Sequence, residues 1–596
     1  MAIAVSATPS PAVRIFAGVA ALYLGVAVYF AGDAALVPWA EGTAIDGLDA
    51  ERLPLICASM LSMATALALA SRIQSVWAIL FVLAASFAAQ LGWSLWIDAQ
   101  PFGALGALWE TARRLAAAPN PELLFASQSP MAVAIYAMAA RTFGADIDVV
   151  RGLAAALWTL QTGFVWLIAR QIREIKSGAL AAAVAVGLTP GAIVYGALPS
   201  AEAVFGPLAL ASIYLILSHR SRGLWLSAAL SGLLLALALL TKPSAVAFAA
   251  AILAVLVAAL LASRRVSTAA YVLGAILAIG LGAAAALGPV ISAQSERDAS
   301  LAAKLTPTLG FELMFGANRA SGGVYAVSDL ERIGYENASG GAGFAAAERA
   351  ARALAWDRIA EDPIGFATFA ATEKTRRLWS SQEPLLLWTV NAPSRRSAEL
   401  QRYDVPPRAA AVIDGAHLAL LTLAALGAAV LAVRGTVRDP SRWLLILGTF
   451  AGLVFIHSLL LAEPRHALAF APLLGLLGTY ALTPQPRAAH AAATDQADRA
   501  HSQMVALSPE QRLATVLKQM SKPPRPEDGP ADDGPRSSAK GSAGADHASR
   551  RGSPSRGGPS ATAAPSSANS PPRAPAAGRE RRGERDSRDR LVSAPR

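Results

Sequence analysis

Residues 76–98 read VWAILFVLAASFAAQLGWSLWID. No charged side chain interrupts the run before Asp98, and Trp93 and Trp96 stand close to its end. A helix that spans a bilayer needs about 20 mainly apolar residues, and tryptophans near the end of such a run act as interfacial anchors. The stretch reads as a membrane span with a carboxylate just beyond it. Runs of the same character recur at 15–31, 53–70, 149–169, 178–198, 201–217, 224–240, 244–262, 269–291, 411–433, 443–461 and 467–482. The expected fold class is therefore an all-α polytopic membrane protein with about twelve transmembrane helices.

Composition agrees. Of 596 residues, 54% are hydrophobic and 16% charged, against about 25% charged in a soluble domain. A single soluble core stops growing near roughly 250–300 residues, so this apolar excess points to lipid. The lone Cys57 excludes an intrachain disulfide and a four-cysteine zinc site. The net charge of +11 is concentrated at one end: residues 484–596 hold 19 Lys and Arg against 12 Asp and Glu, or +7. That tail is rich in Pro, Ser, Gly and Arg, which predicts disorder. Its one helix-like stretch is SPEQRLATVLKQM at 508–520. With most of the charge outside the membrane part, +11 gives no support to nucleic acid as a partner.

The expected organisation is an N-terminal helix pair (1–75), a membrane domain (76–482) and the basic tail (483–596). Short loops carrying Lys and Arg stay on the cytoplasmic side. Arg72, the Arg170–Lys176 loop, the His219–Arg222 loop, Arg264–Arg265 and the Arg434–Arg442 loop satisfy this at every second connection. Both termini are then cytoplasmic, and loops 97–148 and 292–408, the second large and mixed, face outward. The apolar segment 130–143 has only 14 residues, about 21 Å of helix, and is expected to lie beside the membrane rather than cross it.

Charges at the outer rim carry the chemistry. Asp98 ends the first quoted span. In LTPGAIVYGALPSAE, Pro190 precedes Glu202 at the mouth between two spans. An acid at such a place is costly unless paired or solvated, which makes it a site candidate. Lys242–Pro243 forms an outer turn. The large loop holds GFELMFGAN, with Glu312 and Asn318, and then DPIGFATFAATEKTRR, with Lys374, Arg376 and Arg377. Arg465 and His466 stand in AEPRHALAF at the last hairpin.

This set, in this order, resembles the polytopic GT-C glycosyltransferases: an outer-loop acid, a Pro-led helix, a Pro-to-acid hairpin, a loop with Gly-x-Asn and Pro-x-x-Phe…Lys, and a final Pro-Arg. Similar bacterial proteins include relatives of the dolichyl-phosphate-mannose protein mannosyltransferases, the lipid A aminoarabinose transferases and the lipopolysaccharide-core sugar transferases. The resemblance spans roughly 76–482. It implies an enzyme of the bacterial inner membrane that transfers a sugar from a polyprenyl-phosphate donor to a periplasmic glycan, lipid or protein acceptor. Asp98 matches the general base. Arg465, with Lys374 and Arg376 as alternatives, would hold the donor phosphate, and Glu202, Glu312, Asn318 and His466 would bind acceptor or sugar. Ala99 follows Asp98 where those relatives carry a second acid, so neither acceptor identity nor a divalent metal carries over, and no cofactor is expected. The rival class, a transporter or lipid flippase, predicts inverted repeats and midplane charges. The sequence has no internal repeat, and its acids gather at outer ends.

Overall fold

The computed structural model describes residues 10–40, 47–119, 124, 127, 129–218, 224–263, 265–294, 309–335, 340–391, 394–402, 405–434 and 437–483. The expected tail, its stretch at 508–520 and Gln128 lie outside the described residues. Every regular element among the described residues is helical.

The chain opens with α1 (Pro11–Ala40), α2 (Gly47–Ala70) and α3 (Val76–Ile97). Two shorter helices follow, α4 (Gly103–Ala117) and α5 (Pro130–Phe143), which pack on each other through Ala112, Val133 and Tyr136. Next come α6 (Ile147–Gln171), α7 (Ala179–Gly187), α8 (Pro190–Gly196), α9 (Ala201–Ser218), α10 (Leu224–Leu239), α11 (Ala245–Leu261) and α12 (Val266–Gln294). The large loop contributes α13 (Leu309–Gly316), α14 (Val327–Arg332), α15 (Gly340–Glu361), α16 (Pro363–Phe369), α17 (Thr375–Trp379), α18 (Glu383–Val390) and α19 (Arg395–Arg402). The chain closes on α20 (Val405–Arg434), α21 (Pro440–Leu459) and α22 (Ala471–Leu482).

Each expected span is helical, 178–198 as two helices, but twelve crossings are not established. Eight helices among the described residues are long and apolar enough to cross a membrane, or nine if the bent pair Arg173–Gly187 and Pro190–Gly196 is one span. The other three expected spans are the shorter apolar helices Trp225–Leu239, Ala245–Leu261 and Ala471–Leu482. At 1.5 Å per residue, a helix of that length falls short of a ~30 Å hydrocarbon core. Among the described residues the large loop, expected to be mixed, is helical, as its Ala-rich segments and pairs such as Glu348–Arg352, four residues apart at 2.6 Å, favour.

Small residues set the helix crossings. A side chain at Gly282 would strike the carbonyl of Ala229, and one at Gly232 the carbonyl of Ile279, so α10 and α12 touch backbone to backbone at two points. Gly427 meets Leu477 in the same way between α20 and α22. The first two helices lie mainly against α20. The face of α1 that is turned inward carries Val13, Ala17, Ala20, Leu24, Ala27 and Ala31, spaced at helical intervals.

Two irregularities shape the functional end. The break between α7 and α8 bends the chain by 53°. Pro190 forces Thr189 into extended backbone (φ −66°, ψ 139°), which ends one helix and re-aims the next. Within α9, Pro207 withholds the amide that would bond to Ala203, loosening the turn after Glu202.

Candidate functional site

The ends of α3, α8 and α21 and the starts of α9 and α11 come together through the contacts that follow, with α13 touching α21 and α18 touching α3 and α8. Glu202 stands in the first turn of α9, where a negative charge is favoured by the helix dipole. Ser200 caps that helix by accepting the amide of Ala203 at 3.2 Å. Lys242 Nζ donates to Glu202 Oε1 at 2.6 Å, and Tyr195 Oη donates to Glu202 Oε2 at 3.3 Å. Arg465 approaches Tyr195 from the other side, near enough for its charge to act on the phenol. Its Nε sits 2.7 Å from Glu463 Oε2, although the angle there does not make a hydrogen bond. Lys242, Glu202 and Tyr195 thus form one hydrogen-bonded chain, with the Arg465–Glu463 ion pair beside it. Neighbouring carboxylate and tyrosine groups outweigh burial and hold Arg465 above its ordinary pKa, so it is fully cationic.

Arg465 also lies over the ring of Trp388, 5.3 Å from its centroid. Trp388 stacks on Phe102 at 5.2 Å and 28°. Phe102 follows Asp98 by four residues, so the two rings link Arg465 to the loop that begins at Asp98.

Asp98 caps α3 with φ 50°, the only positive φ outside glycine among the described residues. Aspartate tolerates this left-handed conformation better than most residues. Its Oδ1 accepts from both terminal nitrogens of Arg151, each at 3.2 Å, and from Gln100 at 3.4 Å. Arg151 is buried and also donates to Asp148 at 2.6 Å and to the carbonyl of Ala99 at 2.5 Å. Oδ2 of Asp98 makes no hydrogen bond among the described residues, and the side chain is 64% exposed. Asp98 is therefore a fixed carboxylate with one oxygen open.

The remaining expected residues separate into two groups. Glu312 on α13 is half-buried, has no partner among the described residues, and lies within the fields of Lys242, Arg465, Glu202 and Glu463. Loss of water pushes its carboxyl up to about 7, against the pull of the two cations. His466 stacks on His457 at 5.2 Å, and its Nδ1 sits 2.9 Å from the carbonyl of Leu461. A carbonyl only accepts, so Nδ1 carries the proton and Nε2 offers a lone pair. Burial, with the charges of Lys242 and Arg465, holds His466 well below its ordinary pKa and neutral. Both belong to the cluster.

Lys374, Arg376 and Asn318 do not. A π-helical turn, Ala370–Lys374, turns Lys374 inward to donate to the carbonyls of Gly316 (3.1 Å) and Ser458 (2.8 Å). Burial lowers its pKa to about 7. Lys374 ties α13 to the end of α21 and so holds Glu312 in place. Arg376 is exposed and pairs with Glu373 at 3.6 Å. Asn318 bonds Asp329 at 2.9 Å and the amides of Ala320 and Ser321, which organises the loop. Lys242, Tyr195, Glu463 and Trp388 are members of the cluster that the sequence did not nominate for roles. Only Lys242 left a visible trace, as a lone cation in an otherwise apolar hairpin.

These features define an all-helical integral membrane protein with a charged and aromatic cluster at one end of its bundle. Residues 127–285 match the family described as dolichyl-phosphate-mannose-protein mannosyltransferase. That match supports a membrane glycosyltransferase of the GT-C type, using a lipid-linked sugar donor. It covers Arg151, Glu202 and Lys242, and stops short of Asp98, Glu312 and Arg465. No curated protein matches the chain.

Proposed function

We propose that this protein moves a sugar from a polyprenyl phosphate to a hydroxyl or amine of a cell-envelope acceptor, with Asp98 as general base and Arg465 and Lys242 holding the phosphate. The observation that carries this reading is the bridge Arg465–Trp388–Phe102, which ties the arginine to the loop that begins at Asp98. The acceptor oxygen or nitrogen attacks the anomeric carbon, and its proton passes to Oδ2 of Asp98. The bond from that carbon to the phosphate oxygen breaks, and its electron pair stays on the phosphate. Arg151 fixes the other carboxylate oxygen and aims the base. Arg465 neutralises the charge that grows on the departing phosphate, the main demand of such a reaction. Lys242 meets the same phosphate by exchanging part of its contact with Glu202. The chemistry calls on no cofactor beyond the donor. We place the protein in the bacterial inner membrane with this end in the periplasm and both termini in the cytoplasm, because in the sequence Lys- and Arg-bearing short loops recur at every second connection and the site residues fall at the alternate ones.

Asp98→Asn keeps the cap geometry and removes the base. Transfer from polyprenyl-phosphate sugars in isolated membranes should fall ~10²–10⁴-fold, with the protein inserted and folded as before. Undiminished transfer by Asp98→Asn overturns the base. Mass spectrometry of envelope glycans and lipids with and without the protein identifies the acceptor.

A further inference from the structure

Asp414 is the one acidic residue in the apolar run 411–433. It lies within α20, a helix long and apolar enough to cross a membrane, and is 5% exposed. A carboxylate in such a place is costly unless it is partnered. Its partners belong to the start of another helix. Oδ1 of Asp414 accepts the backbone amide of Gln382 at 2.8 Å and the hydroxyl of Ser381 at 3.0 Å, and Oδ2 accepts the same hydroxyl at 3.1 Å. Arg52 of α2 brings a guanidinium nitrogen to 3.5 Å from Oδ2.

Gln382 stands at the N-cap of α18, where its own side chain makes no capping bond. A helix start needs acceptors for its first amides and favours negative charge. α18 therefore borrows from α20 the cap that its own sequence lacks, and a carboxylate accepts such bonds more strongly than a neutral side chain. The pairing is built from the α2 side as well. A side chain at Gly415 would strike the carbonyl of Ile56, and Ser59 Oγ donates to the carbonyl of Val412 at 2.6 Å. The two helices thus cross backbone to backbone beside Asp414, which brings Arg52 to it.

Beyond its cap, α18 buries Leu385 and Leu386, with Leu385 close over Gly191 of α8. One turn past Leu385 it carries Trp388, whose ring lies against Arg465 and stacks on Phe102. A helix of eight residues has little stability of its own, so the seating of its start decides where that ring sits.

We infer that Asp414 is a positioning residue for the donor-phosphate site: by capping α18 it sets the Trp388 ring that holds Arg465. Through Arg52, the N-terminal helix pair is tied into the same arrangement. The inference rests on the phosphate role proposed above for Arg465.

The test uses the full chain in nanodiscs with farnesyl phosphate as the probe, at a temperature where circular dichroism shows every variant folded. Asp414→Asn keeps an acceptor oxygen and removes the charge; Asp414→Ala removes both. Affinity should fall about tenfold in Asp414→Ala, the scale of a displaced cation–π partner, and by less in Asp414→Asn. In a Trp388→Leu background neither substitution should weaken binding further, because the effect runs through that ring. With fluorotryptophan incorporated, the fluorine resonance of Trp388, assigned by its absence in Trp388→Leu, should move in both Asp414 variants. That of Trp443, at the start of α21, should stay. Unchanged affinity, full additivity with Trp388→Leu, or an unmoved Trp388 resonance overturns the inference and leaves Asp414 a structural tie. If Asp414→Ala does not fold, Asp414→Asn and Arg52→Gln carry the same three readings. If the unsubstituted protein binds no farnesyl phosphate, the donor reading fails, and the resonance alone decides whether Asp414 seats Trp388.

Discussion

Lys242 Nζ lies 2.6 Å from Glu202 Oε1, and the two side chains are only 14% and 6% exposed. A buried pair of this kind is poor evidence of net stabilisation, because desolvation consumes most of the Coulomb gain. Removing one partner is another matter, since it strands the other charge.

The first prediction concerns that pair. Lys242→Met and Glu202→Gln, made singly, should each destabilise the protein by ~3–5 kcal/mol, and the double variant by clearly less than their sum. Thermal unfolding of the four proteins in one detergent checks this. Additive losses would mean the contact is incidental.

A second prediction follows from Trp388, which touches both Arg465 and Phe102. Trp388→Leu should lower kcat/KM for transfer about tenfold, the scale of one lost cation–π contact and its positioning. Circular dichroism should be unchanged. A rate equal to the parent's would show that the bridge has no part in catalysis.

Glu312 predicts a pH dependence. The folded protein holds its proton up to about 7, whereas an ordinary glutamate gives it up at 4.5. Between those values the folded state binds more protons than the unfolded chain. Raising the pH through that window therefore lowers stability, and the full penalty applies above it. Glu312→Gln should flatten the fall in Tm across this range. An unchanged slope would remove Glu312 as its source.

Lys374 acts in the opposite sense. Its amine titrates at about 7 in the folded protein against 10.5 ordinarily. From the lower value to the higher, the unfolded chain binds more protons, so stability rises with pH. Lys374→Met should abolish that rise. It should also loosen α13, which faster amide exchange at Gly316 and Ala317 would report.

Gly282 offers a test of the helix crossing. Gly282→Val places a branched side chain against the carbonyl of Ala229. Overpacking of this order costs ~1–3 kcal/mol or more, and the yield of folded protein after extraction should drop. A variant as stable as the parent would mean that α10 and α12 can separate without cost.

The membrane helices were legible because lipid writes a strong local rule: α3 shows its span in one uninterrupted apolar run. The mouth between spans at Glu202 was legible, but the 53° bend before Pro190 was not, because 178–198 reads as one uninterrupted span. Crossing number was not legible, since α10, α11 and α22 read as spans yet are shorter than a bilayer is thick. At the site, Asp98, Glu202 and Arg465 stood out as charges at the ends of apolar runs. Tyr195 and Trp388 did not, because an aromatic residue near a span end is ordinary and only the fold brings them to Arg465. Lys374 and Arg376 drew attention as a basic run, but the π-helical turn faces one inward to backbone carbonyls and leaves the other in solvent.

The packing of α1 against α20 has a consequence for how the protein is made. About 360 residues separate the end of one helix from the start of the other. At roughly 5–20 residues per second, α1 leaves the ribosome some 20–70 s before its partner exists. Throughout that interval the row from Val13 to Ala31 has only lipid or an insertion factor to cover it. Biogenesis therefore ends where it began, with the last helices of the domain docking onto the first, and a nascent chain truncated before residue 405 should keep α1 accessible to crosslinking.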